Sequence, residues 1–199
     1  FHEAVGDTVA LSVTPEYLER TVAVCRRHDI LLAYDNAYSE IAFDGYRPPS
    51  ILEIDGAREV AVEFHSFSKT YNMTGWRIGW AAGNADIIGA LQRVKTFSDT
   101  GQFLAVQAAA RAAIDAYDAW VPGNVETFRR RRDAAAGGRR AAGFDVEVPP
   151  ATMYLWIPVP GGEASEAFAR RALTEQGVVV MPGAALGDGG EGFFRVALT

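Results

Sequence analysis

Ile30-Leu31-Leu32-Ala33-Tyr34 is an unbroken apolar run that ends in Asp35, and few folds can accommodate such a segment. A strand apolar at every position is expected in a parallel sheet covered on both faces. An acid at its carboxyl end stands where open α/β sheets place their ligands. Just upstream, Thr14-Pro15-Glu16 predicts a helix start, with a hydroxyl cap, a proline in the first turn and an acid near the positive helix end. That helix is expected to run to about Arg27. Two further strands are predicted over Glu59 to Phe64 and Arg77 to Ala82, and Asn84 is expected to cap a helix reaching about Phe97.

The remainder alternates between helix and strand. Gln102 to Tyr117 is Ala-rich and helical, and Pro122 is expected to open a long helix to about Ala142. Gly137-Gly138 should weaken or bend that helix, because glycine costs roughly 1 kcal/mol against alanine in a helix interior. Strands are predicted over Met153 to Val159, Val178 to Met181 and Phe193 to Leu198, with a helix from about Glu163 to Gln176. The expected division is residues 1–121 as part of a larger α/β domain and residues 122–199 as a small α+β domain, with the boundary near Val121 to Asn124.

A hydrophobic content of 49% in 199 residues supports a packed core and argues against disorder. The net charge of −6, from 19 basic and 25 acidic residues, argues against a nucleic-acid surface. Arg129-Arg130-Arg131-Arg132 is read as a solvated helix face rather than a nucleic-acid patch. Cys25 is the sole cysteine, which fits a reducing compartment, and no apolar run is long enough to cross a membrane. A cytoplasmic protein is the expectation. No metal ligand set is expected.

Ser66-Phe67-Ser68-Lys69-Thr70-Tyr71-Asn72-Met73-Thr74-Gly75-Trp76-Arg77-Ile78-Gly79 is the stretch that points to chemistry. Taken alone, a lysine in a polar loop is a surface residue. Here small hydroxyls surround it and an arginine follows eight positions on. That company suits an amine forming a Schiff base beside a bound phosphate: burial or a nearby cation frees the amine of its proton, and arginine holds phosphate with paired hydrogen bonds.

The stretch resembles the Schiff-base segment of the class I and II aminotransferases, pyridoxal-phosphate enzymes of fold type I. Asp35-Asn36-Ala37-Tyr38-Ser39-Glu40, after its apolar run, looks like that family's cofactor-ring segment. Glu191-Gly192-Phe193-Phe194-Arg195-Val196-Ala197-Leu198 is similar to its substrate-carboxylate strand. The three motifs keep the family's order, and the likeness covers about Thr14 to Thr199. Glu63-Phe64-His65-Ser66 and Tyr71 to Arg77 are most similar to LL-diaminopimelate and succinyldiaminopimelate aminotransferases.

The resemblance implies roles for particular residues. Lys69 would bind pyridoxal 5'-phosphate covalently and then carry the proton between the substrate's α-carbon and the cofactor. Asp35 would keep the pyridine nitrogen protonated, Tyr38 would bond the phenolic oxygen, and Ser66, Arg77 and, more weakly, Ser68 would bind the phosphate. Arg195 would pair with the substrate α-carboxylate. The substrates implied are an amino acid and a 2-oxo acid, and the assembly implied is a homodimer in which Ser98 to Gln102 reaches the partner's site. His65 is read as a satisfied structural histidine, and Tyr154 and Trp156 as strand packing.

The family also carries an N-terminal half, with a phosphate cup and an aromatic that stacks on the cofactor, and an Asn-Pro-Thr-Gly segment where Val5 to Ser12 stands here. The chain is therefore expected to be a C-terminal portion, binding the cofactor weakly on its own. Alternatives left open are a β-lyase or synthase on the same fold, the aminotransferase-like effector domain of a transcription regulator, and an inactive fragment.

Overall fold

Two three-stranded sheets organise residues 14–199, the part of the chain that the computed structural model describes; Val5 to Ser12 lies outside the described residues. Helix α1 (Pro15–His28) opens on Thr14, whose hydroxyl accepts the Tyr17 N–H. Its buried side chains Leu18, Val22 and Cys25 pack with Leu32 and Tyr34 of β1 (Leu32–Asp35). The chain then passes through a 3₁₀ turn (Ile51–Glu53) and a single helical turn, α2 (Ala57–Val60), into β2 (Ala61–Ser66). β1 and β2 run parallel with Asp35 opposite Phe64, and β3 (Gly79–Gly83) returns antiparallel with Gly79 opposite Ser66.

The expected double burial of the first strand is corrected. Ile30 and Leu31 are 47% and 68% exposed, and along β1 half-buried Leu32 and Tyr34 alternate with exposed Ala33 and Asp35. β1 is an edge strand of this sheet, and α1 covers only one of its faces.

Between β2 and β3, Phe67–Thr70 forms one helical turn, α3, followed by the 3₁₀ turn Thr74–Trp76. Helix α4 (Ala85–Ser98) is capped as expected by Asn84, whose side-chain oxygen accepts the Asp86 and Ile87 N–H groups. Helix α5 spans Leu104–Asp115. Helix α6 (Tyr117–Ala141) begins earlier than expected and takes Pro122 inside it. Pro122 is the sixth residue of this helix and has no N–H to give the Asp118 carbonyl, so the helix runs on with one backbone bond fewer. The helix also continues through Gly137 and Gly138 without a break, held by Phe128, Arg132 and Ala136, which fall on one buried face at four-residue spacing.

That spacing corrects the reading of the arginine run. Arg132 is 4% exposed, bonds Asp44 and Asp133 at 2.8 Å each, donates to the Pro149 carbonyl and lies over the Phe43 ring. The expected boundary near Val121 to Asn124 lies within α6, and Ile41 and Phe43 join the core built by α6 and the second sheet.

The second sheet has the order β4 (Tyr154–Pro158), β6 (Phe193–Ala197), β5 (Met181–Pro182), all antiparallel, with α7 (Ser165–Gln176) packed on it. Glu191 ties the start of α7 to the start of β6: its carboxylate accepts the Ser165 N–H at 2.8 Å, the Ser165 hydroxyl and the Gly192 N–H. These bonds hold its pKa below the usual carboxylate range. Gly183 and Gly190 let two backbones meet in the same corner, where a Cβ on Gly183 would stand 1.9 Å from the Gly190 carbonyl oxygen. Gly183→Ala is therefore expected to cost about 2–3 kcal/mol as backbone is forced aside. An unchanged urea midpoint would contradict this packing. Among the described residues no helix is long and apolar enough to cross a membrane.

Candidate active site

The parallel pairing of β1 and β2 brings their carboxyl ends to one sheet edge, and with them most of the expected residues. Asp35 ends β1, exposed. Ser66 ends β2 and caps α3, its Oγ accepting the Ser68 N–H at 3.1 Å. Lys69 stands in α3, and Arg77 precedes β3 by two residues, where Gly79 pairs with Ser66. Gly79 is required for this approach, because a Cβ there would lie 2.5 Å from the His65 carbonyl oxygen.

The connecting loop is fixed by its own bonds. The Thr74 hydroxyl donates to the Ser68 carbonyl, Arg77 Nη1 to the Thr74 carbonyl, and Gln102 Nε2 to the Arg77 carbonyl. Asn124, on α6, donates to the Thr70 carbonyl and accepts from Asn72. Arg77 itself adopts a left-handed backbone, φ 51°, uncommon for a residue with a side chain.

From the other sheet come Tyr154 and Arg195. Lys69 Nζ lies 5.4 Å from the centre of the Tyr38 ring. The Tyr38 and Tyr154 hydroxyls are 3.4 Å apart, and the Arg195 guanidinium carbon stands 4.2 Å from the centre of the Tyr154 ring. Lys69, Tyr38, Tyr154 and Arg195 thus form a continuous line between the two sheets. A cavity of about 260 Å³ adjoins it, lined by Ser68, Lys69, Asn72, Tyr154 and Thr199 among others.

Ser66 and Arg77 do not line that cavity. Ser66 opens on a larger one of about 780 Å³ with Asn36, Glu63 and His65, and Arg77 on a third of about 560 Å³ with Lys95, Gln102 and Arg111; Phe67 and Trp80 line both. Ser68 is buried, its amide and carbonyl already bonded.

Glu63, in the sequence no more than a member of a family-like motif, is the hub of a buried network. It is 2% exposed, and its carboxylate accepts from Asn36 Nδ2 at 2.7 Å, from the Ile51 N–H at 3.0 Å and from the Ser50 hydroxyl, and meets His65 Nε2 at 2.7 Å. Burial pushes its pKa up, but the bonds from His65, Ser50 and Asn36 together outweigh it and leave the value below the ordinary range. The residue joins the neighbour of Asp35 to the neighbour of Ser66. His65 also stacks on Trp80, ring centres 4.0 Å apart, so it is a bonded, packed histidine. The signal was there: an acid inside the apolar run Val60-Ala61-Val62-Glu63-Phe64.

Lys69 supplies an amine that an aldehyde could take, and Ser66 and Arg77 keep donors that an anion could take, each opening on a different cavity. Ser66 accepts one bond and keeps its O–H to donate, and Arg77 spends one nitrogen on a carbonyl and keeps the other donors of its fork. Among the described residues, neither Lys69, Arg77 nor Arg195 has a carboxylate within 4 Å.

The family described as aminotransferase class I and II matches residues 2–199. LL-diaminopimelate aminotransferase 2 of Trichormus variabilis is 50% identical over 186 residues, 94% of this chain and 48% of that protein. LL-diaminopimelate aminotransferase of Desulforudis audaxviator is 51% identical over 184 residues, 92% and 47% of the two chains. Among solved structures, a probable N-succinyldiaminopimelate aminotransferase from Thermus thermophilus superposes with a TM-score of 0.84 at 36% identity, covering 94% of this chain and 50% of that one. An aminotransferase from Staphylococcus aureus gives 0.87 at 33%, covering 94% and 49%.

The chain belongs to the class I and II aminotransferase family, a family of fold type I that uses pyridoxal 5'-phosphate. It spans about half the length of the relatives it matches.

Proposed function

We propose that this chain carries the lysine, the cofactor-contacting residues and the carboxylate-binding arginine of an aminotransferase acting between an amino acid and a 2-oxo acid. The amino donor in this reading is LL-2,6-diaminopimelate or its N-succinyl derivative, in lysine biosynthesis, as the names of the relatives suggest. The observation that carries it is the line Lys69, Tyr38, Tyr154, Arg195, which sets an amine and a guanidinium on either side of two phenols.

Bound pyridoxal phosphate supplies an electron sink for the substrate's α-carbon. Asp35 would hold the pyridine nitrogen in its protonated form, Tyr38 the phenolic oxygen, and Ser66, Ser68 and Arg77 the phosphate. Lys69 Nζ, once displaced by the substrate amine, would take the proton from the α-carbon, a transfer that needs a base already in place. Arg195 would grip both oxygens of the α-carboxylate. Residues 1–121 then serve the cofactor and residues 122–199 the substrate carboxylate. Cytoplasmic placement and a homodimeric assembly belong to the same proposal and rest on the family likeness.

The test is a half-reaction. The chain, incubated with pyridoxal phosphate, is mixed with LL-diaminopimelate, its N-succinyl derivative or aspartate, and the cofactor's absorbance is followed. Loss of the aldehyde-form band with a diaminopimelate compound, well ahead of aspartate, is expected. Equal rates for all three would remove the substrate assignment, and no change with any donor in a chain whose Lys69 carries the cofactor would remove the amino-transfer reading.

A further inference from the structure

Strand alternation places Tyr154 and Trp156 on the side of β4 opposite the buried Leu155 and Ile157. That side carries Arg195. Trp156 is directly opposite Arg195 in the β4–β6 ladder and Tyr154 is its diagonal neighbour, since Tyr154 pairs with Ala197. Both aromatics pack as expected for strand residues, Trp156 on the neighbouring strand and Tyr154 against the edge of the core, and Tyr154 in addition flanks the arginine. Trp156 is spoken for by Phe193, on which it stacks with ring centres 5.5 Å apart. The Tyr154 face is left for Arg195, whose guanidinium carbon stands 4.2 Å from the ring centre, well inside the distance at which an aromatic face attracts a cation.

Tyr154 has a second contact at its other end, the hydroxyl approach to Tyr38. The two are also packed edge to face, with ring centres 6.0 Å apart. At 3.4 Å the hydroxyl contact is long for a hydrogen bond between hydroxyls, so the ring contacts are what fix the geometry. Arginine is a flexible side chain, and holding its fork in one orientation before a ligand arrives removes an entropic cost of binding.

We propose that Tyr154 is a positioning residue that holds the Arg195 guanidinium ready for a carboxylate and fixes its place relative to Tyr38. The inference rests on the reading of Arg195 as the carboxylate-binding residue. It makes the aromatic face, not the hydroxyl, the part that matters for carboxylate affinity.

The test compares the wild-type chain with Tyr154→Phe and Tyr154→Leu, without added cofactor, by titrating 2-oxoglutarate and following the Arg195 side-chain N–H resonance. Phenylalanine keeps the ring, so affinity within about twofold of wild type is expected. Leucine removes it, and affinity should fall about tenfold. Backbone amide spectra of both variants establish that they fold as the wild type does. Equal affinity in the leucine variant, an equal loss in the phenylalanine variant, or no saturable shift in the wild type would each overturn the proposal. Borohydride labelling of Lys69 in the same three proteins reads the cofactor separately. Absent labelling with the expected carboxylate pattern would sink the cofactor assignment and leave Tyr154 in its role.

Discussion

Glu63→Ala is expected to destabilise the protein by about 3–5 kcal/mol, the range for removing one partner of a buried charged network. The loss is large because alanine leaves four groups without their acceptor: the Asn36 amide, the Ser50 hydroxyl, the Ile51 N–H and His65 Nε2. Each buried donor left unmatched carries its own desolvation penalty. Glu63→Gln keeps the shape and part of the bonding, so it should cost less, and the comparison isolates the charge. The folded carboxylate ionises at lower pH than the same group in the unfolded chain. Its stabilisation is therefore complete above the ordinary carboxylate range and is lost as pH falls through the folded value. Urea unfolding between about pH 7 and about pH 3 should show the gap between wild type and the glutamine variant closing on acidification. A constant gap would mean that the charge of Glu63 does not support the fold.

Lys69→Ala is expected to do the opposite, sparing the fold and removing the chemistry. Lys69 is half-buried and, among the described residues, has no carboxylate partner; its ammonium lies near the Tyr38 ring. Its loss should shift stability by no more than about 0.5–1 kcal/mol. Covalent attachment of the cofactor should disappear entirely. Amino transfer should fall by at least the roughly 10²–10⁴-fold that a positioned base contributes. Exogenous methylamine supplies an amine without the tether and should restore a small fraction of the rate. Undiminished transfer by the alanine variant would assign the proton transfer to another group.

Much of this arrangement could be read from local pattern. Thr14 and Asn84 cap their helices as their side-chain chemistry predicts, and β2, β4 and β6 fall within a few residues of the apolar runs that announced them. The errors came where partners distant in sequence decide the outcome. Ile30 and Leu31 look like core but lie at a sheet edge covered on one face. Pro122 looks like a helix start, yet the helix begins at Tyr117; Gly137-Gly138 looks like a break, yet the buried stripe through Phe128, Arg132 and Ala136 carries the helix past it. Arg132 could not be told from its three neighbours without knowing that Asp44 and Phe43 lie opposite.

The site divides in the same way. The motif around Lys69 identified the sheet edge, because spacing along one segment suffices for that. The pairing of Tyr154 with Arg195 joins residues on two strands, and only the β4–β6 register makes them diagonal neighbours. Glu63 was visible as a charge in an apolar strand, but its four partners come from three separate segments.

Lys69 and Lys95 are the two lysines of the sequence, which makes the central claim open to a direct measurement. Lys95 is exposed and paired with Asp99 on α4. The chain is equilibrated with one equivalent of pyridoxal phosphate, reduced with borohydride, digested and mapped by mass spectrometry. Label is predicted on the peptide containing Lys69, with Lys95 and the terminal amine essentially unmodified. Label divided evenly among the three amines, or concentrated on Lys95, would show ordinary surface reactivity and contradict the assignment of Lys69 as the cofactor's attachment point.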